Sequence, residues 1–115
     1  MLIIDDEEMI RHLYIDLLEV GGYEVIGAAS DGVEGLEIFR SLDPKPDFTI
    51  IDYRMPRKNG LDVMREILRI HPGTKIIFAS ADTSIADEAM RLGAAVFLKK
   101  PFTFTELMEA LDGFD

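Results

Sequence analysis

The sequence predicts an α/β fold in which a five-stranded parallel sheet is doubly wound, with helices on both faces. Three observations predict it. Five short, β-branched apolar segments recur along the 115 residues. Segments with apolar residues at helical spacing stand between them. Each strand–helix unit spans roughly 20 to 27 residues, enough for the right-handed crossover that joins parallel neighbours.

The strands are expected at residues 1–4, 23–28, 47–51, 74–79 and 94–98. Phe48-Thr49-Ile50-Ile51 and Lys75-Ile76-Ile77-Phe78-Ala79 are apolar almost without interruption, which suits strands covered on both faces. The first helix follows from the stripe Ile10, Leu13, Tyr14, Leu17 and Leu18, and Gly21-Gly22 supplies its left-handed stop. Val33, Leu36, Phe39 and Leu42 mark the second, closed by Asp43-Pro44. Leu61, Met64, Ile67 and Leu68 mark the third, closed by His71-Pro72-Gly73. The fourth, residues 85–92, is alanine-rich, only weakly amphipathic, and ends at Gly93. The fifth opens with the capping-box spacing of Thr103 and Glu106 and carries Phe104, Leu107, Met108 and Leu111 as its apolar stripe. No repeat, low-complexity tract or linker interrupts this order, so residues 1–115 are read as one domain.

Composition narrows the chemistry. Acidic residues number 22 and basic residues 12, for a net charge of −10, with 48% apolar and 30% charged residues, as in an ordinary globular chain. No apolar run approaches the roughly 20 residues of a membrane span, and no signal peptide opens the chain, so a soluble cytoplasmic protein is expected. Zero cysteines exclude disulfides, thiolate nucleophiles and cysteine metal sites, and two distant histidines, His12 and His71, make a poor transition-metal set. Any metal is therefore expected to be held by oxygen. The acidic surplus, with no segregated basic patch, argues against nucleic-acid binding.

In open parallel sheets the ligand crevice lies beyond the C-terminal strand ends, where the strand order reverses. Asp5 and Asp6 leave the first strand, Asp52 the third, Ser80 the fourth and Lys100 the fifth. Three carboxylates a few ångströms apart repel one another and take up protons unless positive charge stands among them. A hard divalent cation answers that need. Mg²⁺ suits a site of one or two carboxylates with waters and phosphate oxygens, and Mn²⁺ is a workable substitute. Each residue alone also has a plainer reading. Asp5 and Asp6 could cap a helix, Asp52 could serve the turn before Met55-Pro56, Ser80 could be a loop hydroxyl, and Lys100 could reach solvent.

Together, Ile4-Asp5-Asp6-Glu7, Ile51-Asp52-Tyr53-Arg54-Met55-Pro56, Gly60, Ala79-Ser80-Ala81 and Lys99-Lys100-Pro101-Phe102 resemble the receiver domain of two-component response regulators, across essentially the whole chain. The resemblance implies a flavodoxin-like (βα)5 fold with strand order 2-1-3-4-5. It implies that Asp52 accepts a phosphoryl group from the phosphohistidine of a histidine kinase or phosphotransfer protein. Mg²⁺ would be ligated by Asp6, Asp52 and the Arg54 backbone carbonyl, with Asp5 acting through water. Lys100 and Ser80 would meet the phosphoryl oxygens, and Lys100-Pro101 resembles the family's cis peptide. Phe97, which could also be plain core packing, would follow the pull of Ser80. A face formed by the fourth helix, fifth strand and fifth helix would then address a partner or attached output domain.

Arg54, Ala81 and Asp82 stand where the family controls access to the phosphoryl group, and the opposite charges of Arg54 and Asp82 suggest an ion pair over the opening. The resemblance implies a monomer or a phosphorylation-dependent dimer, and a self-modifying switch rather than a turnover enzyme. Three rival functions fit the residues less well. A Mg²⁺-dependent aspartyl-phosphate phosphatase lacks room for a substrate cap and has Arg54 where it needs an acid. A flavodoxin-like nucleotide or flavin module lacks a phosphate-cradling loop after the first strand. A degenerate receiver used only for docking would not need the full set of acids, hydroxyl and lysine.

Overall fold

A computed structural model describes residues 1–114. Five strands alternate with five helices: β1 (Leu2–Ile4), α1 (Glu8–Val20), β2 (Gly27–Ala29), α2 (Gly32–Ser41), β3 (Phe48–Asp52), α3 (Gly60–Ile70), β4 (Lys75–Ser80), α4 (Ala86–Leu92), β5 (Val96–Lys99) and α5 (Phe104–Asp112). All pairings are parallel, and the strand order is β2-β1-β3-β4-β5, as expected. The order reverses at β1, which lies between β2 and β3 and so opens a crevice at its C-terminal end.

Alternate residues of the strands feed two cores. Leu2, Ile4, Ile51, Ile76 and Phe78 meet α2, α3 and α4 through Leu36, Phe39, Val63, Met64, Ile67 and Ala89. Ile3, Ile50, Ile77 and Leu98 meet α1 and α5 through Tyr14, Leu18, Leu107 and Leu111. A sheet sealed on both sides explains why its strands are uninterruptedly apolar.

Local chemistry sets the helix ends. Asp31 and Asn59 cap α2 and α3, their side chains accepting the Glu34 and Asp62 N–H groups, and Thr103 with Glu106 forms the expected capping box of α5. Gly22 follows α1 with φ of 89°, the left-handed stop that the glycine pair announces. Among the described residues no helix is long and apolar enough to cross a membrane.

Several elements differ from expectation. β2 forms at Gly27–Ala29 instead of residues 23–28, because β1 offers only three partners, Leu2, Ile3 and Ile4, and their register starts at Gly27. The earlier residues lie outside that register, with Ile26 N–H donating to the Met1 carbonyl at 2.8 Å. The fourth helix is preceded by a 3-10 turn at Thr83–Ile85, capped by Asp82, so its α-helical part begins at Ala86. Leu13, assigned to the buried stripe of α1, is 48% exposed, since Tyr14 and Leu18 fill the space over the sheet. β3 and β4 each run one residue farther than expected, so Asp52 and Ser80 are the last strand residues and not the first loop residues.

Candidate functional site

A cleft of about 240 Å³ opens at the C-terminal strand ends, lined by Asp6, Glu7, Asp52, Arg54, Ser80, Ala81, Asp82 and Lys100. Of the nine residues singled out in the sequence, seven lie here, and Asp5 lies directly beneath, joined through Lys100. Phe97 is the exception. It stands on β5 and stacks on Phe78 with ring centroids 6.4 Å apart, away from the cleft lining.

Asp5 is 1% exposed, just past the end of β1. Its Oδ1 accepts the Glu7 N–H at 2.9 Å, which helps turn the chain into α1, and its Oδ2 accepts from Lys100 Nζ at 2.7 Å. Asp5 thus serves both the turn into α1, whose N-cap is Glu7, and the anchoring of Lys100. Lys100 also approaches Asp52 Oδ1, at 3.2 Å. Its ammonium therefore bridges the acid after β1 and the acid ending β3, and the peptide that follows, Lys100-Pro101, is cis.

The electrostatics follow from this burial. Desolvation pushes the Asp52 carboxyl from 3.8 up to about 6; Lys100 opposes the rise, while Asp5 and Asp6 add to it. Burial works against the charge on Lys100. Its hydrogen bond to Asp5 and the neighbouring Tyr14, Asp52 and Asp5 outweigh that and hold its pKa above the ordinary lysine value. Burial raises the Tyr14 phenol, with Lys100, 6.0 Å from its ring, acting in the opposite direction.

Carboxylate oxygens of Asp5, Asp6 and Glu7 lie within 4.8 Å of one another, and Asp6 and Glu7 are exposed to the cleft. An all-oxygen donor set, beside a carboxylate driven toward its protonated form chiefly by burial, fits a hard divalent cation. Glu7 belongs to this cluster although its sequence position suggested no role; its place in an Asp-Asp-Glu run was the available signal. Tyr14, read only as core, also packs near Lys100 and stacks on Phe102 at 5.3 Å. Helical periodicity cannot reveal that contact.

Ser80 is 3% exposed and its hydroxyl oxygen accepts the Asp82 N–H at 3.0 Å, so here it plays the loop role. Arg54 and Asp82 form the ion pair suggested by their charges, at 3.3 Å across the mouth of the cleft. Hydrogen bonds from Ser84, then the pair with Arg54, hold the Asp82 carboxyl below its usual range.

Comparison with known proteins identifies the family and the fold. The sequence pattern of the response regulator receiver domain matches residues 1–112. The chemotaxis protein CheY of Thermotoga maritima is 40% identical over 114 residues, which cover 97% of this chain and 93% of that one. A receiver domain protein from Clostridium thermocellum superposes with a TM-score of 0.90 at 38% identity, covering 97% of this chain and 90% of the other. The response regulator TrrA of Thermotoga maritima, solved in complex with Mg²⁺–BeF, superposes with a TM-score of 0.89 at 33% identity, covering 99% and 96%. With three acids, a hydroxyl and a lysine gathered at the switch point of a 2-1-3-4-5 sheet, this chain belongs to the response regulator receiver domains, the phosphoacceptor switches of two-component signalling.

Proposed function

We propose that Asp52 is the phosphoacceptor. Its carboxylate oxygen attacks phosphorus on the phosphohistidine of a histidine kinase or phosphotransfer protein. An O–P bond forms, the P–N bond breaks, and the imidazole nitrogen departs with the electron pair, leaving an acyl phosphate on Asp52. The observation that carries this reading is the Lys100 ammonium held between Asp5 and Asp52, 2.7 and 3.2 Å away. A fixed cation at the rim of a small cleft is placed to meet the charge that spreads over the phosphoryl oxygens, and positioning of that kind does most of the work in phosphoryl transfer.

Asp6, Asp52 and the Arg54 carbonyl would hold Mg²⁺ or Mn²⁺, with Asp5 acting through water. Bound there, the cation neutralises the carboxylates and the incoming phosphoryl charge. Asp5 also anchors Lys100. Ala81, small and exposed beside the cleft, leaves room for an imidazole to approach. Ser80 exchanges its contact with the Asp82 N–H for a phosphoryl oxygen, drawing the loop after β4 inward. Phe97, half-buried against Phe78, follows that movement and changes the face formed by α4, β5 and α5, where a target or output domain binds. In this reading residues 1–115 are one receiver domain, a switch that modifies itself and slowly reverses. It works in the cytoplasm, as a monomer or as a dimer formed on phosphorylation.

Calorimetric titration with beryllofluoride, a phosphoryl mimic, tests the site. Binding is expected in the presence of Mg²⁺, absent without it, and abolished by Asp52→Ala. Metal-independent binding, or binding that survives the substitution, would overturn the assignment.

A further inference from the structure

The β3–α3 connection, residues 53–59, carries the Arg54 carbonyl and is fastened at both its root and its crest. At the root the Gly60 N–H donates to the Tyr53 carbonyl, and around the crest the Lys58 N–H donates to the Pro56 carbonyl, each at 2.8 Å. At the crest Arg57 has φ of 68°, the only positive value at a non-glycine position among the described residues, in a region that L side chains rarely adopt. From that turn its guanidinium Nη2 donates to both carboxylate oxygens of Asp31, at 2.8 and 2.9 Å. Asp31 is itself fixed as the N-cap of α2, its Oδ1 accepting the Glu34 N–H at 2.9 Å. The next residue, Gly32, sits so close to the connection that a Cβ there would lie 2.7 Å from the Lys58 carbonyl oxygen.

We propose that the Arg57–Asp31 pair is a clamp that ties the β3–α3 connection to the start of α2 and so positions the Arg54 carbonyl for a divalent cation. The inference rests on the reading of the cleft as a Mg²⁺ site. Neither residue lines that cleft, so both act through the backbone between Arg57 and Arg54. A connection already held in place contributes its carbonyl without first being ordered, whereas a loose one loses affinity to that ordering.

Calorimetric titration with Mg²⁺ alone on the wild type, Arg57→Ala, Arg57→Lys, Asp31→Asn and the Arg57→Ala/Asp31→Asn double variant separates a clamp from a charge effect. Asparagine caps helices as well as aspartate does, so Asp31→Asn removes the ion pair and leaves the start of α2 intact. Through charge alone, losing the Arg57 cation would tighten Mg²⁺ binding and losing the Asp31 carboxylate would weaken it. The clamp requires both single substitutions to weaken binding, by about two- to fivefold for a partly exposed pair. It also requires the double variant to be no weaker than either single one, and Arg57→Lys to retain part of the affinity. Amides of the connection in metal-free Arg57→Ala should exchange hydrogen faster while those of β3 do not change. Unchanged or tightened binding by Arg57→Ala overturns the clamp alone. Failure of the wild type to bind Mg²⁺ overturns the metal site, and the clamp with it.

Discussion

Asp52 is 7% exposed, shares Lys100 with Asp5, and is lifted by burial from 3.8 to about 6, so its ionisation is coupled to folding. A carboxyl with a raised folded pKa binds its proton more tightly in the folded chain. Its stabilising contribution is whole below about pH 4 and is lost as pH rises through about 6. Asp52→Asn is therefore expected to stabilise the metal-free protein at neutral pH by about 1–3 kcal/mol, and by much less at pH near 4, as read by urea unfolding. Adding Mg²⁺ should narrow the gap. Lys100 behaves in the opposite way. Lys100→Ala leaves Asp5 buried without its cation and is expected to destabilise by about 3 kcal/mol as well as to slow phosphorylation. Arg54 is largely exposed, so Arg54→Ala should change stability by no more than about 0.5 kcal/mol. If its pair with Asp82 shields the acyl phosphate, the same variant should dephosphorylate faster in a phosphate-release assay. An unchanged rate would remove that role.

At the scale of elements, the site depends on where strands stop and helices start. Gly60 opens α3 so close to the end of β3 that a Cβ would collide with the Asp52 carbonyl oxygen. Gly60→Ala is expected to destabilise by about 2 kcal/mol and to weaken Mg²⁺ binding, because relief of the collision displaces Asp52 itself. The acids, hydroxyl and lysine were legible in the sequence because parallel strands deliver their C-terminal residues to one rim. Seeing the five strands was nearly sufficient to place them. The second strand differs because the segment from Tyr23 to Ala28 is longer than the pairing available beside a three-residue β1, whose register starts at Gly27. Glu7 in the acidic cluster, Tyr14 beside Lys100 and Arg57 on Asp31 were not legible as contacts. They depend on the path of loops and the depth of packing, and hydrophobic periodicity carries neither.

For the whole molecule, the two cores hold the sheet rigid while the functional residues sit at its rim, so a change at Asp52 can move loops without unfolding the domain. A phosphoryl group adds roughly one and a half to two negative charges and three acceptor oxygens, enough for one to three charge-assisted hydrogen bonds. Turning a mostly inactive population into a mostly active one needs about 5.5 kcal/mol of differential stabilisation, so in the proposed switch contacts with a partner on the α4, β5 and α5 face would add to what the phosphoryl group supplies. The central claim, that Asp52 takes phosphorus with the help of a divalent cation, is tested most directly by mass spectrometry after incubation with acetyl phosphate. With Mg²⁺ present, one addition of about 80 Da is expected, mapped by borohydride reduction and peptide sequencing to Asp52, and lost with chelator or in Asp52→Asn. An addition on any other side chain, or one indifferent to the metal, would contradict the account.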